Sequence, residues 1–171
     1  MKSSLLIIGA STYALVAYEI AQDMKCFDRI DFVDDNKSVA PNGAKVIGTT
    51  NDICKFSDEY TDVIVAIGNP DVRLSLIDRI KNAACLSIAT LISPRAYISP
   101  SAMIVEGTIV EPLAVVHALC TIKTGCIISA GAVINHESIC EEGVHIDCNA
   151  TVAGYMIVPA RTKLASGEVY K

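Results

Sequence analysis

The histidines of this chain are its first candidates for chemistry. There are three, His117, His136 and His145, and all lie in the C-terminal half. His136 is followed directly by Glu137. A carboxylate beside an imidazole fixes the tautomer of the ring and strengthens it as a proton acceptor. The pair therefore suggests a general base, with ordinary solvated surface residues as the alternative for each histidine.

The spacing of histidines and cysteines does not predict a metal site. The chain has no His-x4-His pair, and its seven cysteines form no Cys-x2-Cys pair. We expect no bound metal. An odd number of cysteines without such spacing instead predicts free thiols in a reducing compartment. Five of them stand in apolar or repetitive contexts: Cys26, Cys85, Cys120, Cys126 and Cys140.

Polar residues or glycine follow three apolar runs in the first half of the chain. The turn after the first run contains Ser11. Asp34 and Asp35 follow the second run, and Gly68 follows the third. In open α/β sheets, ligands bind beyond the carboxyl ends of parallel strands. These turns together favour a pocket for a nucleotide or a nucleotide sugar, although each alone is equally typical of a plain turn. The first turn is not Gly-x-Gly-x-x-Gly, which makes a dinucleotide less probable.

The elements that hold these turns alternate between strand and helix. We predict strands at residues 4–8, 30–33, 46–47 and 62–67, and helices at 12–24 and from Pro70 to about Asn82, capped by Asn69. Such alternation indicates a three-layer α/β unit, half of a doubly wound sheet. The side chains expected to face the sheet are Leu15, Ala17, Ile20 and Ala21 on the first helix, and Val72, Leu76, Ile77 and Ile80 on the second.

Beyond residue 90 the pattern changes to a repeat of six. From Ile92 to Val158 an aliphatic residue or Cys140 occupies every sixth position, and a mostly small residue follows four places later. A period of six fits short strands joined by tight corners and stacked as a parallel β-helix. Glycines at four expected corners support this: Gly107, Gly125, Gly131 and Gly143. In this arrangement, His136 and His145 point outward.

Composition excludes several function classes. The net charge is −5 and no Lys/Arg run occurs, so nucleic acid is not an expected partner. The apolar run near the N-terminus ends at Gly9, which is too short for a signal peptide or a membrane span. We therefore expect a cytoplasmic protein without a membrane partner, built of two domains, residues 1–89 and 90–171.

The combination of motifs resembles a known family. IIGAS, DD, AIGN, LISPRAYISPSA, INHESI and VHIDCNATVAG occur in this order over residues 4 to about 154. This resembles the sugar O/N-acyltransferases, which include sialic acid O-acetyltransferases and the UDP-4-amino-sugar N-acetyltransferases of bacillosamine-type pathways. Where that family usually has Ser-Gly-His-Gly, this chain has Ser11-Thr12-Tyr13-Ala14. The resemblance implies a Rossmann-like α/β domain followed by a left-handed parallel β-helix of hexapeptide repeats.

The resemblance also implies an activity and a set of site residues. The chain would transfer an acetyl group from acetyl-CoA directly to a sugar or nucleotide-linked amino sugar, as a homotrimer. His136 would be the base and Glu137 its activator, while His145 and Gly154 would contact acetyl-CoA. The remaining predicted residues would line the acceptor pocket: Ser11, Asp34, Asp35 and Gly68. The alternative is a family member that binds nucleotide sugars or assembles without turnover.

The positions of two histidines bear on the oligomer. His136 and His145 are nine residues apart, which is half of an 18-residue coil of three hexads. Within one chain they should therefore lie on different sides of the β-helix. They could serve one substrate if a neighbouring chain presents its His145 beside this chain's His136, and threefold closure would then build three equal sites.

Overall fold

The structure is a computed structural model that describes residues 3–171. It divides into two compact units, one ending at Leu91 and the other spanning Ile92–Lys171. The boundary predicted from the sequence lies after residue 89.

The first unit is a five-stranded parallel sheet with two helices. Its elements are β1 (Ser3–Ile8), α1 (Thr12–Met24), β2 (Phe27–Val33), β3 (Val46–Gly48), a 3-10 helix (Thr50–Phe56), β4 (Asp62–Val65), α2 (Pro70–Ala83) and β5 (Ser87–Ile88). The strand order is β3-β2-β1-β4-β5, with every neighbouring pair parallel. This is the arrangement of a Rossmann-like half, in which the central strand β1 is apolar because both of its faces are covered.

Both helices begin at a side-chain cap, of which Asn69 was predicted and Ser11 was not. The Ser11 side chain accepts a hydrogen bond from the Ala14 N–H, and the Asn69 side chain accepts from the N–H groups of Asp71 and Val72. Pro70 occupies the first turn, where its missing N–H costs nothing.

Two residues expected to face the sheet do not. In α1 the buried residues are Ala14, Ala17, Ile20 and Ala21, whereas Leu15 is only half-buried. In α2 the buried residues are Arg73, Leu74, Leu76, Ile77 and Ile80, whereas Val72 is 44% exposed. Val72 lies in the first turn of α2 and lines a cavity, so its apolar surface is directed to that cavity and not to the sheet.

The prediction that all cysteines are free thiols is wrong for one pair. Cys54 and Cys85 form a disulfide that joins the 3-10 helix to the segment after α2. Cys26 is also exposed, although an apolar context was expected. Cys120, Cys126 and Cys140 are free and buried, as predicted. The sequence did not reveal the pair because its members lie 31 residues apart and meet only through the fold.

The second unit is a parallel β-helix of two-residue strands that recur every six residues. Its first face consists of β6 (Leu91–Ile92), β9 (Ile109–Val110), β12 (Ile127–Ile128), β15 (His145–Ile146) and β18 (Lys163–Leu164). Its second face consists of β7 (Tyr97–Ile98), β10 (Val115–Val116), β13 (Val133–Ile134), β16 (Thr151–Val152) and β19 (Val169–Tyr170). Its third face consists of β8 (Met103–Ile104), β11 (Thr121–Ile122), β14 (Ile139–Cys140) and β17 (Ile157–Val158).

The predicted repeat sets the packing of this unit. Each strand pairs with the strand 18 residues later, as Val116 does with Ile134. The second residue of each strand points inward, and those from Val110 to Leu164 are almost fully buried. The first residue of each strand points outward, because successive side chains of a strand alternate between its faces.

Some of the small residues that follow each inward residue by four places are polar, and their side chains donate hydrogen bonds to the next coil. Thr108 Oγ1 donates to the Lys123 carbonyl at 3.1 Å, and Ser138 Oγ donates to the Ala153 carbonyl at 2.7 Å. The thiols of Cys120 and Cys126 likewise donate hydrogen bonds to backbone carbonyls 15 residues later in the chain. These side chains therefore satisfy corner carbonyls inside the core, where an unpaired oxygen would be costly.

From residue 107 onward, one residue of each corner adopts a left-handed backbone conformation. From residue 107 to residue 167, the residue three positions after each inward residue has a positive φ, between 56° and 75°. Glycine adopts this conformation freely, whereas other residues pay about 1–2 kcal/mol each. Six corners carry another residue: Leu113, Leu119, Glu137, Asn149, Tyr155 and Arg161.

Candidate functional site

The first unit contains a cavity of about 560 Å³ at the carboxyl edge of its sheet. Gly9 after β1, Asp34 and Asp35 after β2, and Ile67 after β4 contribute to its lining. The cavity thus opens between β1 and β4, on whose two sides the strand order runs in opposite directions. This is the place where open α/β sheets bind ligands.

Gly9 is required by the backbone beside this cavity. Its φ is 109°, and a Cβ placed there would lie 3.0 Å from the carbonyl oxygen of Ala66. A side chain at this position would therefore separate the turn after β1 from the chain leaving β4.

Asp34 holds the backbone around the cavity. Its Oδ2 accepts a hydrogen bond from the Ala10 N–H at 2.8 Å, and its Oδ1 accepts from the N–H groups of Asn36 and Lys37. The carboxylate therefore joins the turn after β1 to the turn after β2. The turn at residues 9–11 thus already receives a carboxylate from the protein itself.

Asp35 reaches the opposite wall of the cavity. Its two oxygens accept hydrogen bonds from the Thr50 N–H at 2.7 Å and the Thr50 hydroxyl at 2.9 Å. The Arg79 guanidinium donates to the Thr50 carbonyl at 2.6 Å. Thr50 therefore links a carboxylate from the sheet edge to a cation from α2.

The polar wall supplied by α2 was missed from the sequence. Asp71, Ser75 and Arg79 all line the cavity and are spaced four residues apart. This spacing places them on one face of a helix, so the signal was present in the sequence. The other two predicted pocket residues, Ser11 and Gly68, are not among the described residues that line the cavity. Ser11 caps α1, and the Gly68 carbonyl accepts a hydrogen bond from Arg73.

In the β-helix, His136 lies at the corner between the second and third faces. Its side chain is 51% exposed, and Nδ1 is 3.9 Å from Oε1 of Glu137, which is longer than a hydrogen bond. The Tyr155 ring meets the imidazole edge to face, with centroids 4.9 Å apart. The ring thus points outward, as the repeat predicted, and has a carboxylate and an aromatic ring beside it.

Gly154 lies directly against the His136 ring. A Cβ at Gly154 would be 3.0 Å from Cε1 and 3.2 Å from Nε2 of the imidazole. The absent side chain is therefore what lets the imidazole lie on the next coil. Ser138 holds the same two corners together, since its buried hydroxyl donates to the Ala153 carbonyl and accepts from the Met156 N–H.

His145 lies on the first face, in β15, and belongs to a different polar cluster. Its Nε2 is 3.2 Å from Oγ of Ser129. Ser129 also hydrogen-bonds the carboxyl of Glu111, which is only 8% exposed and accepts from the Ala130 N–H at 3.0 Å. Burial raises the pKa of Glu111, and the hydrogen bonds from Ala130 and Ser129 oppose that shift. Neither Ser129 nor Glu111 was singled out in the sequence.

Asp147 completes the polar surroundings of His145. A hydrogen bond from the Cys148 N–H lowers the pKa of Asp147, and Lys163 and His145 add to that effect against the opposing influence of burial. The Lys163 ammonium lies 3.2 Å from the Asp147 carboxylate. His145, Lys163 and the Cys148 N–H thus all favour the ionised form of the Asp147 carboxyl.

His117 is an exposed residue one coil before His136. Its N–H donates to the Ile134 carbonyl, and the pairing of their strands places it beside Asn135. His117 and His136 therefore lie at the same corner of the β-helix.

Residues 3–171, which the structure describes, lack both a metal-binding cluster and a helix able to span a membrane. They contain no cluster of three or more His, Cys, Asp or Glu side chains arranged to hold a metal ion. None of their helices combines the length and apolar character needed to cross a membrane.

Comparisons with known proteins match both units. Residues 4–80 match the family model of the PglD N-terminal domain. The acetyltransferase domain of PglB from Neisseria gonorrhoeae FA1090 in complex with acetyl coenzyme A superposes with a TM-score of 0.92, at 32% identity over 99% of this chain and 82% of that one. A second structure of that domain gives 0.88, at 30% identity over 98% and 82%.

More distant structures share the fold. A mutant of perosamine N-acetyltransferase from Caulobacter crescentus, in complex with CoA and GDP-perosamine, superposes with a TM-score of 0.79 at 24% identity, over 97% of this chain and 87% of that one. A comparison with curated protein sequences found no match.

These similarities confirm the predicted fold class, a Rossmann-like α/β domain followed by a left-handed parallel β-helix. They also confirm that the chain is an acyltransferase. The protein belongs to the hexapeptide-repeat sugar O/N-acyltransferase family.

Proposed function

We propose that this protein transfers the acetyl group of acetyl-CoA to the amino group of a nucleotide-linked amino sugar, with His136 as the general base. The observation that carries the proposal is the position of His136, whose exposed imidazole packs against Gly154 with the Glu137 carboxylate beside it. Acetyl coenzyme A as donor is supported by its presence in the similar PglB domain. A protein of the same fold is described with CoA and GDP-perosamine, a nucleotide-linked sugar.

The proposed reaction is a direct transfer. The acceptor amine attacks the thioester carbon, a C–N bond forms as the C–S bond breaks, and His136 takes the proton that the amine loses. The imidazolium then returns this proton to the departing thiolate. Gly154 adjoins the imidazole, and its N–H is our candidate donor to the oxyanion that forms on the thioester oxygen. Glu137 stabilises the imidazolium electrostatically, since its carboxylate lies 3.9 Å from Nδ1.

We assign the nucleotide end of the acceptor to the cavity of the first unit. Its volume of about 560 Å³ lies in the range of small-molecule sites. Asp35 and Ser75 offer acceptors and donors for hydroxyl or base groups, and Arg79 offers a cation for a phosphate. Asp34 contributes by holding the two turns that form the rim.

We propose a homotrimer as the active form. His136 lies after β13 on the second face, whereas His145 lies in β15 on the first. If His145 contacts acetyl-CoA, a second copy that places its His145 beside this chain's His136 brings both to one substrate. The outward residues of the second face support packing between copies, since all but one are apolar or aromatic: Tyr97, Val115, Val133, Thr151 and Val169.

The substitution His136→Ala tests the base. Its kcat/KM should fall by about 10²-fold or more, the usual contribution of a general base. The melting temperature should stay unchanged because the ring is half exposed. The assay is thiol release from acetyl-CoA with a panel of UDP- and GDP-linked 4-amino sugars. The matched control is His117→Ala, because His117 is also an exposed histidine. A wild-type rate in His136→Ala would refute the base. Tight nucleotide-sugar binding by the wild type without any turnover would indicate a binding module.

The substitution Gly154→Ala tests whether catalysis depends on the position of the His136 ring. Alanine adopts the backbone conformation of Gly154, but its Cβ would press on Cε1 and Nε2 of His136. Displacing the ring should lower kcat by about 10- to 100-fold, because small misplacements of a catalytic group have effects of this size. The unfolding transition should change little. Steady-state kinetics and thermal melts check this, and an unaltered kcat would show that the ring position is not critical.

The substitution Asp35→Asn tests the acceptor cavity. The amide retains an oxygen for the Thr50 N–H but removes the charge, so the KM for the nucleotide sugar should rise by roughly tenfold, as for the loss of one charged hydrogen bond. The KM for acetyl-CoA should not change. Asp58→Asn, at an exposed position that does not line the cavity, is the control. An effect on acetyl-CoA alone would contradict the assignment.

Mixing two inactive variants tests the shared site. Chains carrying His136→Ala and chains carrying His145→Ala should each be inactive. Mixed trimers should regain activity, because some interfaces then combine an intact His136 with an intact His145. Activity after denaturation and renaturation of the mixture, with sedimentation to establish the assembly, measures this. A fully active monomer would rule the trimer out.

A further inference from the structure

The corners of the β-helix differ in which residues adopt the left-handed conformation. Between the third and first faces, three successive corners use glycine: Gly107, Gly125 and Gly143. Between the second and third faces, the corner that carries His136, no described left-handed residue is glycine. They are Leu119, Glu137 and Tyr155, with φ values of 60°, 59° and 63°.

Glycine would make these turns without strain, as the neighbouring corner demonstrates. Leu and Tyr are among the residues least suited to positive φ, because they lack the short polar side chain that helps Asn and Asp adopt it. Strained backbone that persists is a mark of functional sites. Leu113, Asn149 and Arg161 adopt the same conformation at other corners, so strain alone assigns no role; at this corner, however, the strained residues are the ones that surround His136.

The three residues form one column 18 residues apart, beside His136. Glu137 carries the carboxylate next to Nδ1. Tyr155 contacts the imidazole edge to face and still leaves 65% of its surface exposed. Leu119 is 61% exposed. If Tyr155 served only to hold the His136 ring, most of its surface would not need to be open.

We infer that Tyr155 is a substrate-contacting residue whose ring packs against the apolar C–H face of the acceptor sugar. This inference rests on the proposed function. The acceptor amine must come within hydrogen-bond reach of the imidazole to lose its proton. Because the Tyr155 centroid is only 4.9 Å from that of His136, a six-membered sugar ring attached to the amine extends over the tyrosine.

This contact gives the site a selectivity for acceptors. An aromatic face binds a sugar ring through buried apolar area, which a hydroxyl or amine alone does not offer. Acceptors with an unobstructed C–H face next to the reacting amine are therefore preferred over small aliphatic amines. Tyr155 acts on acceptor binding and on ring position, whereas His136 acts on the proton.

The substitution Tyr155→Gly is a clean test because it also relieves backbone strain. The variant should fold at least as stably as the wild type. Its KM for the nucleotide-linked amino sugar should rise about 3- to 10-fold, the range of one aromatic contact, while its KM for acetyl-CoA stays unchanged. Tyr155→Phe keeps the ring and should retain the wild-type acceptor KM.

The matched control is Arg161→Gly. Arg161 has a φ of 62° and is exposed at the corner between the third and first faces, so the same strain is relieved away from His136. Its kinetics should equal those of the wild type. An unchanged acceptor KM in Tyr155→Gly would overturn the inference. So would dissociation of Tyr155→Gly in sedimentation, which would assign the ring to a contact with a second copy.

The outcome separates this inference from the proposed function. If the wild type turns over none of the amino sugars, the proposed function fails. Calorimetric titration of the same amino sugars into wild type, Tyr155→Gly and Tyr155→Phe then tests the contact without turnover. Weaker binding by Tyr155→Gly alone supports the contact, and equal binding by all three refutes it.

Discussion

The left-handed residue present at each corner from residue 107 to residue 167 is the constraint on which most of the β-helix depends. A two-residue strand can continue into the next face only if the backbone turns within four residues, and from residue 107 to residue 167 one positive φ per corner achieves this. Because the turn recurs every six residues, each residue is stacked on the one 18 positions away. This stacking brings Gly154 under His136. The geometry of the proposed base is thus a consequence of the repeat, and no flexible loop is needed to place it.

The core of the β-helix must also satisfy the carbonyls that the corners leave out of the strand ladder. Thr108, Cys120, Cys126 and Ser138 do this by donating to a carbonyl 15 residues ahead. The cysteines among them read as plain apolar residues in the sequence, since burial is the commonest reason for a core thiol. Their hydrogen bonds explain why thiols and hydroxyls can share one column with alanines: each is small enough for the narrow core and adds a donor.

The sequence predicted what depends on local periodicity. The repeat of six predicted the inward residues from Ile92 to Val158 and the outward direction of His136, and helix 12–24 was predicted at its observed bounds from the spacing of its apolar residues. Residues that meet through tertiary structure could not be found this way. The Cys54–Cys85 disulfide joins segments 31 residues apart, and Asp34 holds three N–H groups of two different turns. Nothing near Asp34 in the sequence distinguishes this structural role from a ligand contact.

The position of Tyr155 follows from the repeat, but its role does not. Tyr155 follows Glu137 by one coil and was therefore placed beside His136 by the same register that placed Gly154. Recognising it also required knowing that its backbone is strained, and only φ reveals that. A repeat protein can relieve such strain at any corner by accepting glycine, as it does at Gly107, Gly125 and Gly143. Each bulky residue kept at a left-handed corner therefore costs about 1–2 kcal/mol that the fold does not require. Three of the six such residues are stacked beside His136, so half of this cost falls where a substrate would have to bind.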